Sequence, residues 1–160
     1  TDFLDMVPKT NEQATYDGVN EGRAYVLKMN TTTYTSSTTI TYKLETYMFT
    51  GGAHGGSFVA TFTYGLNGKP IGLASILRAP DSLDGLSSAS RAYFYGKLGD
   101  DADKVVIDAG TRPEEQNFSS WYVTDTVVTF VFQQYQIGSY ALGLQEFPLS
   151  RNEARTFLTL

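Results

Sequence analysis

The stretch ITYKLETYMFTGGAHGGSFVATFTY, residues 40–64, consists of two alternating runs joined by a glycine-rich segment. In the first run apolar residues recur at every second position, and the second run repeats this period of two from Phe58 to Tyr64. Such a period is typical of half-buried β-strands, whose successive side chains point to opposite faces. The stretch therefore predicts two long strands that reverse direction within TGGAHGGSF, residues 50–58.

The reversal contains the single histidine of the chain, His54, between two pairs of glycines. A hydrolase would use His54 as a base, with a serine and a carboxylate beside it in space. The chain has no G-x-S-x-G motif, and one histidine is too few for the usual multi-histidine zinc site. We therefore predict a tight turn whose glycines supply positive φ angles or close backbone approach, with His54 bonded to the backbone. A hydrolase with His54 as base is the alternative.

Two helices are expected after the first strands. Apolar residues recur every three or four positions from Leu83 to Leu98, which predicts a helix that Gly99 ends. A second short helix is predicted in DDADKVVIDAG, residues 100–110, with Asp101 near its start.

The last part of the chain contains three strand-like segments between residues 120 and 149. Ser150 and Glu153 then form the pattern of a capping box at the start of a terminal helix. The sequence thus predicts an α+β fold: an antiparallel β-sheet with a central helix between strands and a short C-terminal helix packed on one face.

Composition excludes several classes of function. The chain has 160 residues, a net charge of −5 and no cysteine, so disulfides, thiolate metal sites and a cysteine nucleophile are excluded. No basic patch suggests nucleic-acid binding. No apolar run reaches the roughly 20 residues that span a bilayer, so we expect membrane attachment only through a segment absent from this chain. The sequence does not determine an oligomeric state.

Acidic and aromatic residues offer weaker functional signals. Asp100, Asp101 and Asp103 are close enough to suggest calcium, but their spacing fails the EF-hand pattern, and a solvated helix start is the preferred interpretation. Neither a metal nor a cofactor is expected. Trp121, Tyr122, Tyr135 and Tyr140 are candidates for contact with sugars or proteins, or for packing within strands.

Two longer segments resemble a known bacterial domain. They are MFTGGAHGGSFVATFTYGLNGKPIGLASIL, residues 48–77, and QNFSSWYVTDTVVTFVFQQYQIGSYALGLQEFPLS, residues 116–150. They are similar to the extracytoplasmic domain of RsiV-type anti-sigma factors and to the non-catalytic N-terminal region of PdaC-type peptidoglycan deacetylases. One departure is Gly138-Ser139, where that family often has Ala-Pro. The resemblance covers residues 23–160, whereas residues 1–22 match poorly and are predicted to be the end of a truncated helix.

The resemblance implies a non-enzymatic binding or sensor domain of a bacterial envelope protein, of a kind also found in lipoproteins. Its location would be extracytoplasmic, in the periplasm or at the cell surface. The implied ligand is a protein, among them one like lysozyme, or a peptidoglycan-type glycan. An accessory module of a cell-wall-modifying enzyme is a further alternative.

Two loops are the candidate binding elements. They contain Gly51, Gly52, Ala53, His54 and Gly55 in the first loop, and Tyr135, Ser139, Tyr140 and Gly143 in the second. If both loops lie at one end of the strands, they form one surface.

Overall fold

The computed structural model describes residues 25–160, so the expected helix end in residues 1–22 lies outside the described residues. Six strands form two three-stranded antiparallel sheets, here called sheet 1 and sheet 2. Sheet 1 contains β1 (Val26–Thr35), β2 (Thr39–Phe49) and β3 (Gly56–Gly65), and sheet 2 contains β4 (Trp121–Val123), β5 (Val127–Phe132) and β6 (Gln145–Ser150). The expected α+β class is confirmed, with the strands divided between two sheets.

The described part of the chain also contains three α-helices: α1 (Ser82–Leu98), α2 (Lys104–Gly110) and α3 (Arg151–Ala154). Gly99 ends α1 with a positive φ of 55°, as expected. The start of α2 differs from the prediction, because Asp103 rather than Asp101 caps it by accepting bonds from two backbone N–H groups. The predicted capping box at the C-terminal helix is confirmed. No helix within residues 25–160 is long and apolar enough to span a membrane.

The predicted reversal is a β-hairpin, in which Met48 of β2 pairs with Gly56 of β3. The threonine-rich stretch before it belongs to β1 and to the short turn that leads into β2. Local periodicity therefore located these strands correctly.

Five large apolar residues of sheet 1 face away from the rest of the described chain, whereas Val59 of β3 is buried on the other face. Leu27 and Met29 of β1, Tyr42 of β2, and Phe58 and Phe62 of β3 are all exposed, and their register places them on one face. The opposite, inner face carries buried Thr41, Lys43 and Thr63. Alternation predicted the strands, but the more polar face is the packed one.

The main core lies on the other side of sheet 2. Val128, Phe130 and Phe132 point into it from β5, and Phe94 of α1 meets Phe132 edge to face at 4.9 Å between ring centroids. Such contacts bury large apolar areas and supply most of the stability of a domain this size. The core therefore holds β5 in place, and with it the start of the second candidate loop, which follows β5 directly.

The inner faces of the two sheets meet at a polar junction. Lys43 of β2 bonds Glu45 at 2.8 Å and Glu146 of β6 at 3.0 Å, and Tyr34 of β1 stacks on Tyr122 of β4. Burial by itself lowers the pKa of Lys43, but the bonds from the two carboxylates outweigh it and raise that pKa. Burial also raises the pKa of Tyr122. The junction therefore favours a charged lysine and a neutral tyrosine.

Candidate functional site

The first candidate loop is the β2–β3 turn. Gly51 has a φ of 89°, which favours glycine, whereas a Cβ on Gly55 would collide with the ring of Tyr47. Gly51 and Gly55 are buried, whereas Gly52, Ala53 and His54 are exposed. The glycines thus fold the backbone tightly and leave the histidine on the outside.

The second candidate loop joins β5 to β6 across residues 133–144. Its buried anchor is Ile137, while Tyr135 is 55% exposed. Ser139 is exposed, and Tyr140 and Gly143 are half-buried. Gly143 follows a short 3-10 turn with a φ of 62°, another position that favours glycine.

The two loops touch through three aromatic side chains, which we call the aromatic patch: His54, Tyr135 and Tyr140. The His54 and Tyr140 rings are in contact, with centroids 3.9 Å apart and planes tilted by 32°, and the Tyr135 and Tyr140 ring centroids lie 5.9 Å apart. The Tyr135 hydroxyl lies 3.5 Å from Nε2 of His54, at the outer limit of a hydrogen bond. Residues 81 positions apart in sequence therefore form one continuous surface.

Tyr135 has a φ of 68°, the one positive value among the described non-glycine residues. This left-handed conformation costs an L-residue roughly 1–2 kcal/mol. The neighbouring residues must hold it in place, and strained backbone of this kind is concentrated at functional sites.

Glutamine side chains on both sides of Tyr135 hold the loop. Gln133 accepts a bond from the Val59 N–H at 3.0 Å and donates to the Val59 carbonyl at 2.7 Å. Gln134 accepts from the Ser57 N–H at 2.8 Å and donates to the Tyr140 carbonyl. Gln133 and Gln134 therefore attach the β5–β6 loop to β3, immediately after the first loop.

Gln136 anchors the other side of the same loop. Its side-chain amide donates to the carbonyls of Gly110 at 2.9 Å and Asn117 at 3.0 Å. A Cβ on Gly110 would collide with the Gln136 carbonyl, so glycine is required there. Sequence reasoning missed these glutamines, although the run QQYQ directly after a buried strand was a visible signal.

The aromatic patch can stack, donate and accept, but it lacks the geometry of a hydrolase triad. Within residues 25–160, the His54 ring bonds to the Gly55 carbonyl, 3.1 Å from Nδ1, and contacts the Tyr135 hydroxyl. A histidine that activates a serine would instead have a seryl hydroxyl and an orienting carboxylate at those two ring nitrogens.

The other candidate residues lie elsewhere. Trp121 and Tyr122 are buried and pack within the structure, so they take no part in the patch. In the described part of the chain, no group of three or more histidine, aspartate or glutamate side chains could hold a metal ion. The candidate site is therefore a polar-aromatic surface.

Comparison with known proteins extends these observations. Residues 76–152 match the family DUF3298, described as proteins of unknown function. The peptidoglycan-N-acetylmuramic acid deacetylase PdaC of Bacillus subtilis strain 168 is 27% identical over 124 residues, which are 75% of this chain and 26% of that protein. The chain thus spans about a quarter of the length of this relative, and the expected likeness to PdaC-type deacetylases is confirmed.

Two crystal structures share the fold. A DUF3298 family member from Bacteroides fragilis NCTC 9343 has a TM-score of 0.71 at 20% identity, covering 98% of this chain and 63% of its own. A second member, from Pseudomonas aeruginosa PAO1, has a TM-score of 0.63 at 15% identity, covering 95% and 71%. Residues 76–152 therefore match DUF3298, and the chain is similar to part of a PdaC-type peptidoglycan deacetylase.

Proposed function

We propose that this domain is a non-catalytic module of a bacterial envelope protein, located outside the cytoplasm, that binds a cell-wall glycan. The aromatic patch is its binding surface. The observation that carries the proposal is the contact between the two loops, which places the His54 ring against the Tyr140 ring beside the exposed Tyr135.

The chemistry of the patch suits a sugar chain. Sugar rings present apolar C–H faces and hydroxyl groups, and tyrosine and histidine combine a flat ring with a polar tip. The three side chains of the patch include no carboxylate, the group that would attract a basic protein by charge. This composition favours a glycan over a basic protein ligand.

The strained backbone at Tyr135 supports the same conclusion. The glutamine anchors hold a mostly exposed ring in a conformation that costs free energy. Folding gains little from an exposed side chain, so a ligand contact accounts for this cost better than packing does.

The PdaC relative connects the proposal to the cell wall. Its name states that it acts on the N-acetylmuramic acid of peptidoglycan, and the region shared with this chain is about a quarter of its length. By this analogy the domain is an accessory module that brings a larger envelope protein to its wall substrate.

The proposal is tested by sedimentation with purified, insoluble peptidoglycan. We expect the unmodified domain to sediment with the wall and Tyr140→Ala to remain largely in the supernatant. Tyr42→Ala is the control, because it removes the same side chain from β2, on the outer face of sheet 1 and outside the aromatic patch. It should sediment like the unmodified domain.

Two results would contradict the proposal. One is equal sedimentation of the Tyr140→Ala protein and the unmodified domain, or none of either. The other is release of sugar reducing ends by the domain that disappears in His54→Ala, which would indicate a hydrolase.

A further inference from the structure

Part of the free edge of β3 is closed by non-strand partners. Ser57 and Val59 bond to glutamine side chains, and the Thr63 carbonyl accepts from the Ile71 N–H at 2.8 Å. Bonds to both sides of a strand alternate with a period of two, so odd-numbered residues of β3 point their backbone groups away from β2. The Leu66 N–H donates to the Thr38 carbonyl, which shows that the backbone groups of even-numbered residues point toward β2 and form the hydrogen bonds with it.

Thr61 lies between the bonded groups of this edge. It is odd-numbered and stands opposite Lys43 in the register, so its N–H and carbonyl point outward between Val59, which is bonded at both groups, and the bonded carbonyl of Thr63. The Thr61 side chain accepts from the Trp121 N–H at 2.9 Å. No residue of the described range 25–160 bonds the Thr61 backbone N–H or carbonyl at this edge.

A cavity of about 360 Å³ opens at this position, a volume sufficient for a small functional group and its attachment. Its lining includes Thr61, Gly72, Glu115, Gln116, Ser119 and Trp121. Exposed Glu115 gives one wall a carboxylate.

The neighbouring residue shows which ligand chemistry fits. At Val59, the side-chain carboxamide of Gln133 accepts from the N–H and donates to the carbonyl of one residue. A primary carboxamide can form this pair because its oxygen and one N–H point in the same direction. A trans secondary amide cannot, because its N–H and oxygen point in opposite directions.

We propose that the cavity at Thr61 is a binding site for a primary carboxamide, which pairs with the Thr61 N–H and carbonyl as Gln133 pairs with Val59. The ligand would thus form at Thr61 the same pair of hydrogen bonds that the Gln133 side chain forms at Val59, two residues earlier on the same edge. Glu115 repels the carboxylate form of the same ligand and so favours the neutral amide. The group can come from an amidated peptide of the cell wall or from a glutamine side chain of a protein.

The test follows the Thr61 backbone N–H by ¹⁵N–¹H NMR during titration with small dipeptides. L-alanyl-D-isoglutamine represents a wall-type amide, L-alanyl-L-glutamine a protein-type amide, and L-alanyl-L-glutamate the acid control. We expect the two amides to produce a saturable shift at Thr61 and the acid to produce none. Tighter binding of the first dipeptide assigns the site to wall peptides, and tighter binding of the second assigns it to proteins.

A matched pair of variants locates the binding. Gly72 has a φ of −92°, which any residue adopts, and a Cβ there meets no atom within 4 Å. Gly72→Trp should fill the cavity and weaken amide binding about tenfold or more, while Gly72→Ala should bind like the unmodified domain, and thermal unfolding verifies that both fold.

Equal shifts with amide and acid, no shift at Thr61, or unchanged binding by Gly72→Trp would overturn the proposal. None of these results involves the aromatic patch, so the glycan proposal is tested separately.

Discussion

The two sheets differ in what covers their faces. Sheet 2 is packed on both sides, by the helices and main core on one face and by sheet 1 on the other, and all but one residue of β5 are buried. Among residues 25–160, sheet 1 is packed on its inner face alone, while its outer face presents Phe62 at 50% exposure and Met29 at 57%. Sheet 2 therefore carries the stability of the domain, while sheet 1 supplies a hairpin and an edge on which sites are built.

The largest expected effect comes from a matched pair of phenylalanines, one in each sheet. Phe130→Ala in β5 should lower the free energy of unfolding by about 3–5 kcal/mol, because its ring is fully buried. Phe62→Ala in β3 should cost less than about 1 kcal/mol. Urea denaturation of both variants measures this difference, and similar losses would show that the outer face of sheet 1 is covered.

The next effect concerns the link between the sheets at Val59. Gln133→Leu leaves the Val59 N–H without a partner and removes one of the two donors to the Val59 carbonyl, which keeps the Ser120 hydroxyl, so we expect a loss of about 1–3 kcal/mol in unfolding free energy. Gln116→Leu is the control, since its exposed side chain bonds one neighbouring carboxylate, Glu114, and should change stability by less than about 0.5 kcal/mol. If the Gln133 variant is as stable as the control, Gln133 does not anchor the β5–β6 loop to β3.

The polar junction between the sheets gives a smaller effect that depends on pH. Lys43→Met should cost about 1–2 kcal/mol at neutral pH, because the two carboxylates it leaves unpaired are partly hydrated. The folded state raises the pKa of Lys43 and of Tyr122. Their stabilisation is therefore complete below their unfolded values, near 10, and is lost as pH rises through the folded values.

Denaturation curves recorded between about pH 7 and pH 11 check this sign. The unmodified domain should lose stability above about pH 10, and the gap between it and Lys43→Met should narrow there. A gap that widens with rising pH would mean that Lys43 is not stabilised in its charged form.

The sequence predicted the elements that depend on local pattern. The hairpin, helix α1 with its Gly99 end, and the capping box at Ser150 all follow from periodicity or from rules that involve residues a few positions apart. The buried face of sheet 1 could not be predicted this way, because apolar alternation does not show what packs against each face.

The candidate site was predictable in its residues and not in its geometry. Glycine-rich loops pointed to His54 and Tyr140, but the contact between these two rings joins residues that are more than 80 positions apart in the sequence. No local rule indicates that the Gln133 side chain replaces a strand partner. The positive φ of Tyr135 was hidden because glycine is the usual signal for that conformation.

The most direct measurement is calorimetric titration of Tyr135→Gly with soluble peptidoglycan glycan fragments. Glycine removes the ring and relieves a left-handed strain of roughly 1–2 kcal/mol, while its added chain entropy costs about 0.5–1 kcal/mol. Stability should therefore be unchanged or higher by up to about 1.5 kcal/mol. We predict that the variant folds, keeps its melting temperature and loses glycan binding that the unmodified domain shows. Undiminished binding by Tyr135→Gly would contradict the assignment of the aromatic patch as the glycan-binding surface.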